Sequence, residues 1–442
     1  MKNKVLNIIQ SNNFLSLLGQ GIFAIIGFVT IILLTRTYSL ADFGIWVLYI
    51  TAFTMLNMLR MGFVGTGLVR FISGASEEIK KSYVGSSWVI GLIFTGVSII
   101  IILLISQISP DFVADSEFSI FFKWFPLLFV VVLPYDYGLF ILQANGKFGK
   151  IIILKAINQI GFATFIAYNF IERLPIEYIV YAHLGSYFIS SLVSLLLGWS
   201  GIQFTFCFNK KTISELFNFG KYSAGTLVGT SLLKSSDTFL IGALMGPAAA
   251  AFYNIPLKLI EMFEIILRSF VAVSLPILSK ASKENNIDIL TKTFYKATGL
   301  LTILYIPLVI ICFVFADYFI LILGGEQYLE SALIFRIFLV YGLFLPLDRF
   351  TGVTLDSINR PQANLVKVTF MVVANVVGDL IAIYWLNEVW AVAVVTINTV
   401  LVGIFIGMYF LNKQIPFTWS KILPTGLNEV KVILNNFSSK NK

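Results

Sequence analysis

Six basic side chains, Arg60, Lys234, Lys258, Arg268, Arg336 and Arg349, stand inside stretches that are otherwise apolar. Seven acids, Asp136, Asp237, Glu261, Glu264, Asp348, Asp356 and Asp379, stand within or at the edges of the same stretches. A cation at the centre of a hydrocarbon layer costs roughly 3 kcal/mol on insertion scales, so such residues face a bundle interior or a water-filled cavity. There they can pair, bind an anion or relay charge. At roughly 100° per residue Lys258, Glu261, Glu264 and Arg268 fall at about 0, 300, 240 and 280 degrees, one third of a helix surface. A stripe shared by four charges is more than packing needs. Lys234 and Asp237 form an i,i+3 pair, which either neutralises itself or opens when an anionic group competes for the lysine. Arg349 and Asp356, seven residues apart, share a face. Arg60 has no acid within helical reach, so its partner is another helix or an anionic ligand.

Catalytic chemistry finds little support in the residue types. His183 is the single histidine, set among Tyr and Leu, and reads as a packed side chain. No Ser-His-Asp set, metal-ligand cluster or phosphate-cradling glycine loop is apparent, which predicts a non-enzymatic protein with no metal and no cofactor. Cys207 and Cys312, each beside Phe, are too isolated for a disulfide framework and read as packing residues.

The elements that must position these charges follow from composition. Of 442 residues 58% are hydrophobic and only 12% charged, which fits an integral membrane protein rather than a soluble domain. Apolar segments of helix-spanning length recur without the alternation of barrel strands. They fall at 14–35, 44–66, 84–106, 119–142, 151–170, 178–198, 218–244, 249–276, 297–316, 332–354, 368–386 and 391–411, which predicts about twelve transmembrane helices. With both termini inside, 22 of the 31 basic residues flank the inner ends, among them Lys2, Lys4, Lys221, Arg360, Lys367, Lys413 and Lys442. Only Arg36, Lys123 and Arg173 lie outside, alongside acids such as Asp111, Glu117 and Asp317. That asymmetry orients the chain by the positive-inside rule. It also accounts for the net charge of +8 without a nucleic-acid partner.

The stretch LQANGKFGKIIILK from Leu142 is echoed by LDSINRPQANLVK from Leu355, an offset of 213 residues. Six plus six spans is the simplest account, and an even number per half gives both halves the same orientation about an axis along the membrane normal. The expected organisation is an N-terminal six-helix lobe (1–198), a cytoplasmic linker (199–217), a C-terminal six-helix lobe (218–411) and a cytoplasmic tail (412–442). Pro126, Pro134, Pro256, Pro276, Pro307 and Pro346 mark places where helices can bend.

Six stretches spread over most of the chain carry a family resemblance. They are LTRTYSLADFGIWVLY (Leu34 to Tyr49), LRMGFVGTGLVRF (Leu59 to Phe71), LQANGKF (Leu142 to Phe148), SSDTFLIGALMGPAAAAFYNIPLKL (Ser235 to Leu259), LPILSK (Leu275 to Lys280) and LGGEQYLESALIFRI (Leu323 to Ile337). In their order and spacing the sequence resembles the polysaccharide-exporter, O-antigen-flippase-like branch of the multidrug/oligosaccharidyl-lipid/polysaccharide flippase superfamily. The resemblance implies an all-α polytopic membrane protein with two six-helix lobes around a central cavity. It further implies alternating access and translocation of a polyprenyl-pyrophosphate-linked glycan from the cytoplasmic to the outer leaflet of the cell (inner) membrane, for cell-surface polysaccharide synthesis. Membrane lipid, that lipid-linked glycan, and glycan polymerase or glycosyltransferase machinery are the implied partners. By helix and charge, Arg60, Lys234, Lys258 and Arg268 are expected to line the cavity and bind the anionic head, with Arg336 and Arg349 as secondary candidates. Asp237, Glu261 and Glu264 are the coupling or ion-pair acids. A cation-coupled drug antiporter of the same superfamily would hold an acid in its first span, and residues 14–35 contain none. A membrane-embedded glycan polymerase would need a sizeable outer loop with paired carboxylates, and no such loop is seen.

Overall fold

The computed structural model describes residues 12–115, 118–415 and 417–440; Lys2, Lys4, Glu117 and Lys442 lie outside them. Among the described residues the regular elements are all helical, as expected where a hydrocarbon surround leaves backbone groups no partner but one another. They are α1 (Asn12–Thr37), α2 (Leu40–Ile72), α3 (Glu77–Ile108), α4 (Pro110–Asp115), α5 (Ser119–Val131), α6 (Leu133–Ala144), α7 (Phe148–Glu172) and α8 (Glu177–Leu196). Then follow α9 (Lys210–Met245), α10 (Pro247–Lys283), α11 (Ile287–Val314), α12 (Ala316–Leu323), α13 (Ala332–Ser357), α14 (Pro361–Leu386), α15 (Val389–Asn412) and α16 (Ile422–Lys440). The twelve expected spans all fall on these helices. Nine helices among the described residues are long and apolar enough to cross a membrane, ten if the bent pair α5–α6 counts as one. The remaining two expected spans lie on α1 and α9.

The internal repeat reappears as backbone geometry. Gly146 and Asn359 both adopt left-handed φ, +67° and 58°, at the 213-residue offset. The following amide closes each turn in the same way: Lys147 N donates to Leu142 O and Arg360 N to Leu355 O, both at 2.9 Å. Two more turns recur, Gly74 with Asn285 and Arg173 with Asn387, all four at positive φ.

The span expected at 119–142 is broken. Helices α5 and α6 meet at 42° around Val132, where Pro134 in the first turn of α6 has no N–H to continue the ladder. Carbonyls at the bend accept side-chain donors from α8: Ser191 Oγ to Val131 O at 2.5 Å and Ser194 Oγ to Pro134 O at 2.7 Å. Pro126, Pro256, Pro276, Pro307 and Pro346 instead sit inside continuous helices.

Two compact units emerge from the packing. One runs to Ser231 and takes Gly246–Ala248; the other holds Leu232–Met245 and Ala249–Lys442, so the division falls inside α9 rather than in residues 199–217. In the first unit Val64, Leu68 and Ile72 of α2 pack with Val84 and Trp88 of α3 and with Leu133 and Tyr137 of α6. The Trp88 and Tyr137 rings stack at 4.4 Å, and the indole N–H donates to Ser200 O at 2.9 Å. Much of the expected linker is thereby ordered: residues 202–207 form a 3-10 turn lying on α3, where a Cβ at Gly85 would fall 2.2 Å from Phe204 O. Cys207, in this turn, is exposed and not packed; Cys312 is buried. In the second unit α13, α14 and α15 pack together and α11 packs on α13. Helix α16 crosses α11 where Gly426 meets Gly299, with Lys296 Nζ 2.6 Å from Glu429.

Candidate functional site

The charged stripe forms on α10 as its helical spacing predicts, and α9 contributes to it. Gly246, at φ +92°, lets the chain reverse, and Pro247 opens α10 where a missing N–H costs nothing. Lys258 Nζ donates to both Glu261 carboxylate oxygens at 2.9 and 3.1 Å. Lys234 Nζ donates to Glu264 Oε2 at 2.8 Å, while Arg268 stands 4.0 Å from the same oxygen. Three cations thus share two carboxylates. The Lys234 and Arg268 side chains remain more than half exposed, so neither is committed to the interior. The paired charges nearly cancel, yet one positive charge is left over, and the loosest member, Arg268, carries a planar fork of donors suited to a phosphate.

The pairing of Lys234 with Asp237 does not form. Lys234 reaches across to α10, whereas Asp237 turns into the interior of its unit. There Asn375 Nδ2 of α14 donates to Asp237 Oδ1 at 2.5 Å and to Asp379 Oδ2 at 2.9 Å. The Tyr253 hydroxyl and Thr396 Oγ1, the latter at 3.4 Å, donate to Asp237 Oδ2. Asp379 is fully buried, and its Oδ1 has no hydrogen-bond partner among the described residues. No basic side chain lies within ion-pair distance of either acid among the described residues. Two enclosed carboxylates without a cation need a proton or a bound ion for neutrality. Their surround is oxygen-rich, and no group of three or more His, Cys, Asp or Glu forms among the described residues. That donor set suits a proton or a hard monovalent ion better than a transition metal.

Arg60 occupies a different setting. Its side chain is completely enclosed, 3.1 Å from Asp136 at the α5–α6 bend. It also donates to Asn57 Oδ1 at 2.6 Å, Phe129 O at 2.7 Å and Thr95 Oγ1 at 3.1 Å, with the Phe129 ring 4.0 Å away. The partner on another helix exists, and in this conformation Arg60 presents no surface to a ligand. Arg336 pairs with Asp317 at 2.6 Å. Arg349 is exposed and makes no ion pair among the described residues; Asp356, the acid on its face, takes the Asn364 amide instead. Lys367, counted by sequence with the inner basic flank, is instead buried in α14 and paired with Asp348 at 2.6 Å. A 26-residue helix beginning at Pro361 carries it two turns inside the bundle. His183 is packed, ringed edge-on by Trp46, Tyr49, Phe53, Phe162 and Tyr187.

Sequence reasoning noted Asp379 as an acid within a span but gave it no partner, and it passed over Asn375 and Thr396. The signal that could have found them is the i,i+4 spacing of Asn375 and Asp379 in an apolar run, since polar side chains in a span are costly unless they meet.

The family model described as "Polysaccharide biosynthesis protein" matches residues 9–282. The chain is 21% identical over 389 residues to "Teichuronic acid biosynthesis protein TuaB" of Bacillus subtilis (strain 168), covering 83% of this chain and 75% of that one. It is 21% identical over 394 residues to "Putative O-antigen transporter" of Shigella flexneri, covering 86% and 91%. In fold it is similar to an inward-facing multidrug resistance MATE family transporter of the MOP superfamily, with TM-score 0.74, 14% identity, and 89% and 95% of the chains covered. It is also similar to lipid II flippase MurJ in an inward closed conformation, with TM-score 0.71, 14% identity, and 96% and 92% covered.

Proposed function

Because this chain belongs to the polysaccharide biosynthesis protein family, we propose that it is a flippase that carries a lipid-linked oligosaccharide across the membrane. The relatives named for teichuronic acid synthesis and O-antigen transport support a cell-surface glycan as cargo. The observation that carries the reading is the α9–α10 charge face, where Lys234, Lys258 and Arg268 face only Glu261 and Glu264. Exposed cations on apolar spans are too costly for lipid contact and require water or an anionic ligand. A polyprenyl-pyrophosphate head supplies that anion: it competes with Glu264 for Arg268 and Lys234, while the prenyl tail stays in lipid. Arg60 is left out of the binding set because Asp136 already neutralises it.

The cycle is alternating access from the cytoplasmic to the outer leaflet of the cell membrane, with both termini cytoplasmic, as the distribution of basic residues favours. Glycosyltransferases that build the lipid-linked glycan, and a polymerase that uses it, are the partners such a step requires. Asp237 and Asp379 are the coupling element: occupancy by a proton or a monovalent cation changes the charge behind Lys234, on the same helix as the head-binding face.

Surface polysaccharide in cells expressing alanine variants at matched membrane levels tests this. Lys234→Ala, Lys258→Ala and Arg268→Ala are expected to lower export, Arg268→Ala most, by about tenfold for one lost charge-assisted contact. Asp379→Asn, which keeps size but removes the charge, is expected to stop export without lowering protein level. Wild-type export in all three cation variants would overturn the assignment of the face, and efflux of cationic dyes with unchanged glycan pools would favour a drug antiporter.

A further inference from the structure

Outside the charge face, the end of the second unit where α13 stops, α14 starts and α15 stops borders a half-open cavity of about 340 Å³. Arg360 and Lys413 line it together with Gln362 and Gln414, and no carboxylate does. Arg360 is exposed and makes no ion pair among the described residues, while the partners of Lys413 Nζ there are neutral: the Tyr409 hydroxyl at 3.0 Å and the Tyr409 and Phe410 rings at 4.2 and 5.8 Å. The N-terminus of α14, opened by Pro361, adds the positive end of its helix dipole. Two cations outside any ion pair among the described residues, and two amides, therefore border a mostly apolar cavity, where an anionic head would find its partners at the rim.

The rest of the lining, Leu355, Ala363, Val366 and Phe410, is apolar, and on α14 it continues away from the cavity along one side. Val366 lines the cavity, and Phe370, Val373, Val377 and Ile381 follow it at spacings of four, three, four and four, each about half exposed. At about 1.5 Å per residue this stripe extends roughly 22 Å, more than one leaflet of a ~30 Å hydrocarbon layer. A free phosphate would use the cations alone, whereas the stripe is the bilayer-facing side of a helix long and apolar enough to span the membrane, where acyl chains lie. A two-chain lipid uses both.

We propose that this cavity is a binding site for an acidic glycerophospholipid, its phosphodiester head held by Arg360 and Lys413 and one acyl chain lying along α14. The site rests on the topology that puts Arg360 and Lys413 at the cytoplasmic face, where anionic lipid is available. It is independent of the residues assigned to the glycan head.

Native mass spectrometry of the full chain in micelles doped with equal phosphatidylglycerol and phosphatidylcholine tests it. The expected result is preferential retention of phosphatidylglycerol, weakened about fivefold by Arg360→Ala or Lys413→Ala and roughly 25-fold by both. Arg360→Lys, which keeps the charge, retains most of the binding and guards against loss through misfolding. Lys147→Ala, at the equivalent turn of the other unit, leaves retention unchanged. Equal retention of the two lipids, wild-type retention in the double variant, or an equal loss in Lys147→Ala would overturn the proposal. Displacement of the lipid by inorganic phosphate would reassign the cavity to a free anion, and displacement by a prenyl pyrophosphate would reassign it to the transported substrate. Either result would overturn the lipid site.

Discussion

Asp136→Asn isolates the part of the structure on which the reading of Arg60 depends. The substitution keeps shape and removes one charge, leaving the guanidinium enclosed with only neutral partners: Asn57, Thr95, the Phe129 carbonyl and the Phe129 ring. The two side chains are 0% and 10% exposed, so water cannot substitute for the lost carboxylate. Breaking a buried pair by removing one partner costs about 3–5 kcal/mol, and the retained neutral acceptors argue for the lower end, roughly 3 kcal/mol. At about 2–4 °C per kcal/mol for a cooperative unit of 150–250 residues, the apparent Tm in detergent should fall by roughly 6–12 °C. Thermal unfolding of purified wild type and variant, read by loss of the monodisperse peak, measures this. The paired variant Arg60→Met with Asp136→Leu should recover part of the loss, since apolar groups can replace a buried pair, though Asn57 and Thr95 lose their donor. If the paired variant is stable and still exports glycan, Arg60 serves the fold and not the cargo. An Asp136→Asn Tm within about 2 °C of wild type would refute the energetic argument.

Two further outcomes follow from specific contacts. Exchanging Lys234→Asp with Asp237→Lys should abolish the folded protein, because a lysine at 237 enters an enclosed polar cluster and an aspartate at 234 meets Glu264; Lys234→Gln, losing one exposed pair worth about 0–1 kcal/mol, should fold normally. Membrane levels and Tm of the two decide, and a wild-type Tm for the exchange variant would contradict the observed pairing. Gly426→Leu should release α16 from α11, since a Cβ at 426 would fall 2.4 Å from the Gly299 backbone. Overpacking of that kind costs about 1–3 kcal/mol, and limited proteolysis after residue 412 checks it, with wild-type resistance the contrary result.

How far sequence reading reached depends on the kind of information involved. Helix α10 shows it most clearly: the face holding Lys258, Glu261, Glu264 and Arg268 follows from a fixed rotation per residue, so their common stripe needed no tertiary knowledge. Partner choice followed different rules. Lys234 and Asp237 sit three apart, near enough to pair, yet the lysine extends to Glu264 on the next helix while the short aspartate is captured by Asn375 and Tyr253. Lys367 misled for a related reason. Charge near a predicted span end reads as a loop residue, but the helix starts at Pro361 and Asp348 of α13 supplies the counter-charge inside.

By itself the sequence determined that the chain spans a membrane, roughly where each helix lies, which charges are out of place in lipid, and that the two halves repeat. These depend on local quantities: hydrophobic length, helical period and the turn chemistry shared by Gly146 and Asn359. Only the tertiary structure decided which of those charges are already neutralised, as Arg60 is by Asp136, and which stay available, as Arg268 does. It alone brought Asp237 beside Asp379 through Asn375, from positions 142 residues apart. The reason is electrostatic: in a low-dielectric interior a charge is satisfied by whichever group reaches it in space, and proximity along the chain reports that only within a turn or two of the same helix.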